Sequence, residues 1–358
     1  MKILHVTESF GAGVYSFLVD LCNELSDNHD IIVVYSERSE TPSDFRDDFK
    51  ENIKFIKMDM GLKKALSATN KLKKIIVEEH PEIIHLHSSK AGLVGRIASR
   101  LLNYKGQLYY NPHGLSFLRK DIGIILRWLF FISEKILAKL GGLIIAVSES
   151  EKEEVKRISP RVISINNGIN IVKMKSEEQL DNDRYYNEKS FTVGTVGRVA
   201  FQKNPALFNK IAMSMPNVNF IWIGDGEMKG VLSANNVLVT GWLNRKEVLK
   251  KVASLDVYVQ TSLWEGLPIS VLEAMYLKKP LVLSKTVGNV DLVNEGKNGF
   301  ICSKENDFIE KINFYEENKK QAKLDGESSF EYLVEHFDKE KGLNQYIRLY
   351  EENTTVLG

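Results

Sequence analysis

Short apolar runs alternate with longer amphipathic segments along the chain. In the first half, the apolar runs have the length and content of buried parallel strands, and they span residues 2–6, 31–35, 83–87, 108–110, 143–147 and 162–165. Between them, apolar residues recur three or four positions apart, as in Val14, Leu18, Leu21 and Leu25, which is typical of a helix with one buried face. This alternation predicts an α/β fold built on a doubly wound parallel sheet.

The pattern breaks once, near the middle of the chain. Residues 166–190 are polar, and the second-half runs then follow at 191–196, 219–223, 237–240, 257–259 and 281–283. The break predicts two Rossmann-like domains that face a cleft, with a linker between them. The predicted boundaries are 1–168 for the first domain, 169–190 for the linker and 191–337 for the second domain. A charged amphipathic segment, 338–356, is predicted to form a helix that returns to the first domain.

Composition and charge narrow the class of protein. The chain has 358 residues, of which 43% are hydrophobic and 27% charged, which suits a folded protein with two cores. A net charge of +1 gives no general attraction for nucleic acid. The distant cysteines Cys22 and Cys302 match no metal-site spacing and suit a reducing compartment. The N-terminus lacks the pattern of a signal peptide, and we therefore expect a cytoplasmic protein.

Two cations follow the first strand of the second domain. Open parallel sheets bind ligands at the carboxyl ends of their strands, where helix N-termini point. Arg198 and Lys203 come after the run 191–196, just ahead of a helix start marked by Pro205. A guanidinium and an ammonium group both suit a diphosphate, and we expect both to face solvent. A solvated charged loop would also explain them, but their position favours phosphate binding.

Two further strand ends carry candidate polar groups. The turn Gly224-Asp225-Gly226 follows the run 219–223 and is a candidate neighbour of a nucleotide base, although a tight turn alone would explain it. Glu265 lies on the loop after 257–259, and Glu273 lies one to two turns inside the next helix. The helix N-terminus near Gly266-Leu267 offers amides for phosphate, and the carboxylates can accept from sugar hydroxyls.

Candidates in the first half are less specific. After the first strand, Gly11-Ala12-Gly13 is a candidate for phosphate binding, but on its own a tight strand-to-helix turn is the favoured interpretation. His113 follows the strand at 108–110, where a ligand-facing histidine and a structural one are equally good interpretations. His87, at the end of its strand, is a weaker candidate for the acceptor side, and His85 is interpreted as structural.

Taken in order, these motifs resemble the family 4 retaining glycosyltransferases, which have the GT-B fold, especially those that build bacterial capsular and surface polysaccharides. The resemblance extends over nearly the whole chain. The matching pieces are Gly13-Val14, His113-Gly114, Ala146-Val147-Ser148, Asn167-Gly168-Ile169, Gly197-Arg198 with Lys203, Gly224-Asp225-Gly226, Glu265-Gly266-Leu267-Pro268 with Glu273-Ala274-Met275, and Asn298-Gly299-Phe300.

The resemblance implies a role for each candidate residue. Arg198 and Lys203 would hold the donor diphosphate, Glu273 the ribose hydroxyls, and Glu265 the transferred sugar. The other implied donor contacts are Gly13 at the diphosphate, the amides of Gly266 and Leu267 at the sugar and phosphate, the turn Gly224-Asp225-Gly226, and His113 near the sugar and the leaving phosphate.

The resemblance also implies that no metal or other cofactor takes part. The spacing Asp181-Asn182-Asp183 suits a metal-bridged diphosphate but lies in the predicted linker. The chain departs from the family pattern at Ala12, where a glycine is common. It also departs at Asn289 and Asp291, where a second glycine and a glutamate are common, and no donor role is carried over to these two.

The implied function is transfer of a hexose-class sugar from a nucleotide-diphosphate sugar, foremost a UDP-sugar, to a lipid-linked or glycan acceptor. Without a well-placed nucleophile, retention favours front-face attack, in which the leaving diphosphate takes the acceptor proton. Two alternatives stay open. One is a sugar-nucleotide epimerase on the same architecture, and the other is a non-catalytic nucleotide-sugar-binding protein.

Residues 116–140 predict one or two amphipathic helices in which large apolar and basic side chains are interleaved. One interpretation is a core-facing helix with its basic residues in water. The apolar side chains outnumber those of a single buried stripe, which favours an interfacial helix on an anionic membrane. The protein would then be peripheral on the inner face of the cell membrane.

Overall fold

The computed structural model describes residues 1–38, 40–179 and 191–352. Two parallel sheets flanked by helices account for the described chain. The predicted fold class, two Rossmann-like α/β domains, is therefore confirmed.

The chain divides into two compact units. The first contains Met1–Leu118, Ile124–Ile165 and the chain from Leu343 onward. The second contains Arg119–Gly123 and Asn166–Gly342. The division after Ile165 lies slightly before the predicted domain end at 168.

Seven strands form the sheet of the first unit, within the described residues. They are β1 (Lys2–Thr7), β2 (Asp30–Tyr35), β3 (Lys54–Lys57), β4 (Ile83–His87), β5 (Gln107–Asn111), β6 (Leu143–Ala146) and β7 (Val162–Ser164). All neighbouring pairs are parallel, in the order β3-β2-β1-β4-β5-β6-β7. The order reverses between β1 and β4, the position where doubly wound sheets bind ligands.

Helices cover both faces of this sheet. They are α1 (Ala12–Leu25), α2 (Ala65–Glu79), α3 (Ser89–Leu101), α4 (Ile124–Ala138) and α5 (Glu149–Lys156). Because side chains alternate across a strand, Leu4 and Val6 enter one apolar core while Ile3 enters the other. The predicted apolar series of α1 packs in the core with Ile3, where Leu18, Leu21 and Leu25 are buried and Val14 is partly buried.

The second unit contains a six-stranded sheet in its described part. Its strands are β8 (Thr192–Val196), β9 (Asn219–Ile223), β10 (Val237–Val239), β11 (Val257–Gln260), β12 (Leu281–Ser284) and β13 (Gly299–Cys302). They too are parallel, in the order β10-β9-β8-β11-β12-β13. Chain order reverses between β8 and β11, which marks the ligand-binding edge of this unit.

The helices of the second unit begin inside the predicted linker. They are α6 (Ile171–Gln179), α7 (Pro205–Ser214), α8 (Arg245–Ala253), α9 (Ile269–Tyr276), α10 (Asn289–Leu292), α11 (Glu305–Glu317) and α12 (Lys319–His336). Residues 171–179 of the predicted linker form α6. Residues 180–190, with Asp181 and Asp183, lie outside the described residues.

The last described helix, α13 (Lys339–Glu352), joins the first unit from Leu343 onward. Tyr346 and Tyr350 are buried in the core that also contains Ile3 and Leu18. The predicted helix at 338–356 corresponds to α13, and residues 353–358 lie outside the described residues.

Helix α4 buries a charged side chain and exposes several large apolar ones. Its buried positions include a carboxylate, Glu134, while Ile124, Ile125 and Trp128 are exposed. Glu134 forms an ion pair of 2.9 Å with Arg96 of α3 and accepts a hydrogen bond of 3.0 Å from the hydroxyl of Tyr110. The helix is therefore attached to the unit partly by a buried charge, and a large part of its apolar surface faces solvent.

Candidate functional site

The carboxyl edge between β8 and β11 brings two loops together. The loop after β8 contains Arg198 and Lys203, and the loop after β11 runs from Thr261 to Pro268. The amide of Leu263 donates to the carbonyl of Gln202 over 2.8 Å. The hydroxyl of Thr261 donates to the carbonyl of Lys203, also over 2.8 Å. Each loop therefore fixes the backbone of the other.

Lys203 and Glu265 form an ion pair at this edge. The distance from Lys203 Nζ to Glu265 Oε1 is 2.7 Å, and the side chains are only 19% and 8% exposed. Burial alone would lower the pKa of Lys203, but the adjacent Glu265 carboxylate outweighs it and the pKa is raised. Lys203 is thus charged at neutral pH. The expectation that Lys203 faces solvent is wrong, because it lies under the loop against Glu265.

Two glutamine amides complete the surroundings of Glu265. Gln260 Nε2 donates to Oε1 over 2.7 Å, and Gln202 Nε2 donates to Oε2 over 3.3 Å. Both carboxylate oxygens are therefore oriented. The sequence motifs did not indicate either glutamine. Their positions alone could have suggested a role, because Gln260 ends β11 and Gln202 directly precedes Lys203.

Arg198 differs from Lys203 in its exposure. Its side chain is 62% exposed, and its Nε donates to Glu227 Oε2 over 3.0 Å. Among the two predicted phosphate cations, Arg198 is thus the accessible one and Lys203 the embedded one. An exposed ion pair of this kind contributes little to stability, so Arg198 can exchange Glu227 for a ligand anion.

The turn Gly224-Asp225-Gly226 packs backbone against backbone on the loop after β8. A Cβ at Gly224 would lie 2.3 Å from the carbonyl oxygen of Gly197, so no larger residue fits there. The amide of Val199 donates to the carbonyl of Asp225 over 2.8 Å. The turn therefore supports the segment that carries Arg198.

Helix α9 presents its N-terminus beside Glu265. A Cβ at Gly288 would lie 2.0 Å from the carbonyl oxygen of Gly266, so two loops meet closely here. The side chain of Leu267 is buried, which leaves only its backbone for a ligand. One turn further in, buried Glu273 forms an ion pair of 2.5 Å with Arg245 of α8, a partner that the sequence motifs did not suggest.

In the first unit, His113 lies on the loop after β5 in the left-handed region, with φ of 51°. Buried Glu151 holds this loop, because its Oε1 accepts from the amide of Gly114 over 3.0 Å and its Oε2 from the amide of Val147 over 2.7 Å. Burial lowers the pKa of His113 to about 4, so the ring is neutral at pH 7. His113 Nε2 lies 3.1 Å from Nδ1 of His87.

A cluster that the sequence motifs missed lies beside β1 and β4. Buried Glu8 pairs with Arg38 at 2.6 Å and with Lys90 at 2.7 Å. Gly13 lies in the first turn of α1 rather than before the helix, and a Cβ at this position would meet none of the described residues within 4 Å. Packing therefore does not require this glycine, and the space above it is open to a ligand.

Two family models together match most of the chain. The model "Glycosyltransferase Family 4" matches residues 11–173, and "Glycosyl transferases group 1" matches residues 176–332. The "UDP-Gal:alpha-D-GlcNAc-diphosphoundecaprenol alpha-1,3-galactosyltransferase" of Escherichia coli is 30% identical over 269 residues, 68% of each chain. The chain belongs to glycosyltransferase family 4. Both models describe glycosyltransferases, and the epimerase alternative receives no support from the comparisons.

Two further similarities extend over more of this family 4 glycosyltransferase. The "O-antigen biosynthesis glycosyltransferase WbnH" of Escherichia coli is 27% identical over 332 residues, 88% of this chain and 91% of the relative. The crystal structure of Anabaena Alr3699/HepE in complex with UDP superposes with a TM-score of 0.78 at 20% identity, covering 98% of this chain and all of that chain. The latter similarity concerns the GT-B fold.

Proposed function

We propose that this glycosyltransferase moves a hexose-class sugar from a UDP-sugar to a lipid-linked or glycan acceptor during assembly of a bacterial surface polysaccharide. The observation that carries the proposal is the Lys203–Glu265 pair at the edge where the chain order of the second sheet reverses. The printed names of the relatives support the substrate classes, because they include a UDP-galactose donor, a diphosphoundecaprenol acceptor and O-antigen biosynthesis.

The two cations have different tasks in the proposed site. Arg198, which is accessible, offers the donor diphosphate a planar fork of N–H groups. Lys203 is held by Glu265 and supplies a fixed charge, so it needs no reorientation when the leaving group becomes more negative. Its partner Glu265, oriented by Gln260, accepts from a sugar hydroxyl, while Glu273 takes the ribose hydroxyls.

Retention is proposed to occur by attack on the face from which the diphosphate leaves. The bond from the anomeric carbon to the phosphate oxygen breaks, and the bond to the acceptor oxygen forms. The acceptor proton passes to an oxygen of the leaving diphosphate. The contacts of Glu265 with Lys203, Gln260 and Gln202 support this route, because a carboxylate that already accepts from three donors is a poor nucleophile.

The proposed function is tested by the release of free nucleoside diphosphate. The purified full chain is incubated with UDP-, GDP- and ADP-sugars, with and without a lipid-diphosphate sugar acceptor. We expect release from one UDP-sugar, accelerated by the acceptor, together with a new glycosidic linkage of unchanged anomeric configuration. Inversion at the anomeric carbon, or a preference for another base, would refute the corresponding part of the proposal.

Activity is expected to persist without divalent metal ions. Arg198 and Lys203 supply two positive charges at the proposed diphosphate site, which is the role that a metal ion would otherwise fill. We expect transfer rates after exhaustive EDTA treatment to stay within about twofold of those with added Mg²⁺ or Mn²⁺, since less than about 0.5 kcal/mol of the barrier would then depend on the metal. A loss of activity that Mn²⁺ restores would contradict this.

A lipid-linked acceptor lies in a membrane, and α4 offers a surface that suits one. Ile124, Ile125 and Trp128 are 77%, 75% and 62% exposed, although all three are large and apolar. In contrast, Phe117 and Phe131 pack edge to face with each other over the core. Roughly half of the large apolar residues in the predicted amphipathic segment 116–140 are thus exposed to solvent. Within the described residues, no helix is long and apolar enough to cross a bilayer.

The basic residues near α4 suit an anionic lipid surface, but not all are equally available. Arg119 is paired with Asp121, and Arg127 Nε donates to the carbonyl of Phe117 over 3.2 Å. Lys120, Lys135 and Lys139 are exposed. We therefore assign the lipid contact to these three lysines together with the exposed apolar face.

Binding to anionic vesicles is expected to depend on both components. Replacing Lys120, Lys135 and Lys139 with Glu should weaken binding to phosphatidylglycerol vesicles by about 3 kcal/mol or more, or over 100-fold, at low salt. Trp128→Ser should also weaken binding, without a change in Tm because the residue is exposed. Co-sedimentation measures both, and the control of equal charge change replaces three exposed lysines of the second unit, Lys319, Lys320 and Lys323, with Glu. Equal binding by the parent and the triple variant would contradict the assignment.

A further inference from the structure

Three histidine rings of the first unit form a continuous hydrogen-bonded chain. Parallel pairing places His5 of β1 opposite His85 of β4, and Thr7 opposite His87. His5 Nδ1 lies 3.1 Å from His87 Nε2, and His87 Nδ1 lies 3.1 Å from His113 Nε2. His5 and His87 are fully buried, whereas His113 is partly exposed. The chain thus runs from the core to the loop after β5.

All three rings are neutral at pH 7. Burial lowers the pKa of His5 to about 3 and that of His113 to about 4. Burial, with the neighbouring histidines, lowers the pKa of His87 well below its usual value. A neutral imidazole carries one N–H, so each ring donates from one nitrogen and accepts at the other. The hydrogen-bonded histidine chain can consequently have only two arrangements. In one, every hydrogen bond is donated toward His113, and in the other every hydrogen bond is donated toward His5.

The buried end of the histidine chain, at His5, distinguishes the two arrangements. Among the described residues, no group forms a hydrogen bond with His5 Nε2, which is fully buried. If His5 carried its proton on Nε2, a buried N–H would have no acceptor, which is rare in folded proteins. With the proton on Nδ1, His5 donates to His87 Nε2. His87 must then donate from Nδ1 to His113 Nε2.

A fourth histidine next to this chain has its own partners. His85 Nε2 lies 2.6 Å from Asn111 Oδ1, an acceptor, and His85 Nδ1 lies 2.5 Å from the hydroxyl of Tyr350. Asn111 Nδ2 in turn donates to the hydroxyl of Tyr346 over 2.7 Å. The nitrogen atoms of His5, His85 and His87 lie close enough for a metal ion. However, His85 and His87 already use both nitrogens in hydrogen bonds, which argues against a metal.

We infer that His5 and His87 are positioning residues that hold His113 as its Nδ1–H tautomer. With Nε2 accepting from His87, His113 presents an N–H donor to an oxygen of the transferred sugar or of the leaving phosphate. The opposite tautomer would direct a lone pair outward, which repels a phosphate oxygen and could only accept a hydrogen bond from a sugar hydroxyl. This inference rests on the proposed function and on the place that the family resemblance implies for His113, near the sugar and the leaving phosphate.

The tautomers can be measured without any substrate. The full chain is labelled with ¹⁵N-histidine, and long-range ¹H–¹⁵N correlations at pH 7.5 report which nitrogen of each ring carries the proton. The variants His5→Gln, His87→Asn and His113→Gln assign the signals. We expect Nδ1–H for His5, His87 and His113, and Nε2–H for His85. A proton on Nε2 of His113, or a charged His113 ring, would overturn the inference.

Kinetics test whether His87 acts through His113. His87→Leu removes the donor to His113 and is expected to lower kcat about tenfold, with a smaller change in donor KM. His87→Asn places an amide where Nδ1 was and should restore kcat to within about threefold of the parent. His336→Leu, which removes an exposed histidine of the second unit, is the matched control and should have no effect.

A double-variant experiment separates positioning from a structural role. In a His113→Ala background, His87→Leu is expected to cause no further loss of kcat, since the residue through which it acts is gone. A further tenfold loss would overturn the positioning role. Full activity of His113→Ala would instead reject the proposed role of His113, while the NMR measurement would still decide the tautomer.

Discussion

Replacing Lys203 with methionine is expected to lower kcat/KM for the donor by about 10²- to 10³-fold, the loss seen when one preorganised donor to a developing negative charge is removed. The substitution keeps most of the length of the side chain and removes its charge. Because Glu265 holds Lys203 in place at 2.7 Å, the ammonium group is fixed before the donor binds. Steady-state kinetics with the best UDP-sugar measure the effect.

The same substitution is expected to destabilise the second unit, unlike a change at Arg198. Without Lys203, the nearly buried Glu265 keeps only its glutamine donors, at an expected loss of about 3 kcal/mol. Adding Glu265→Gln should recover most of the Tm but not the activity. Arg198→Ala, at an exposed position, should lower activity with an unchanged Tm. Near-parental activity of Lys203→Met would show that the phosphate site lies elsewhere.

The largest expected effect on stability is at Arg96, far from the proposed phosphate site in sequence. Its guanidinium is almost completely buried, pairs with Glu134 at 2.9 Å and lies 3.9 Å from the ring centroid of Tyr110. Arg96→Met leaves Glu134 as an unpaired charge in the interior. We expect the free energy of unfolding to fall by about 3–5 kcal/mol, the usual range for breaking a buried ion pair.

Thermal denaturation measures this loss as a decrease in Tm of about 10 °C. Arg100→Met, at an exposed position on the same helix, is the matched control and should leave Tm unchanged. Adding Glu134→Gln to Arg96→Met removes the unpaired charge and keeps an acceptor for the Tyr110 hydroxyl, so part of the Tm should return. If Arg96→Met melts like the parent, the pair does not anchor α4.

Periodicity was sufficient to predict the doubly wound sheets, because buried parallel strands are continuous apolar runs. It missed β3, whose sequence Lys-Phe-Ile-Lys contains only two apolar residues at the edge of its sheet. It also missed β13, which begins at Gly299. Helix α6 was missed because its apolar residues, Ile171, Val172 and Met174, lie together at its start, ahead of the polar stretch 175–179.

The candidate site was harder to predict, because its contacts join residues distant in sequence. Motifs indicated Lys203 and Glu265 separately, but their pairing depends on the parallel register of β8 and β11. The exposure expected for Lys203 was wrong for this reason. The chain from His5 through His87 to His113 likewise needs strand register, which a hydrophobic pattern does not encode for polar side chains.

The return of α13 to the first unit has a consequence for synthesis of the protein on the ribosome. Tyr346 and Tyr350 contact Asn111 and His85, which precede them by 235 and 265 residues. Domains usually fold as units in the order in which they are translated. Here the core of the first unit stays incomplete until nearly the last residue of α13 has emerged, after the whole second unit. Part of the apolar core of the first unit therefore stays exposed while the second unit is synthesised. During this time, chaperone binding and aggregation compete with completion of the fold.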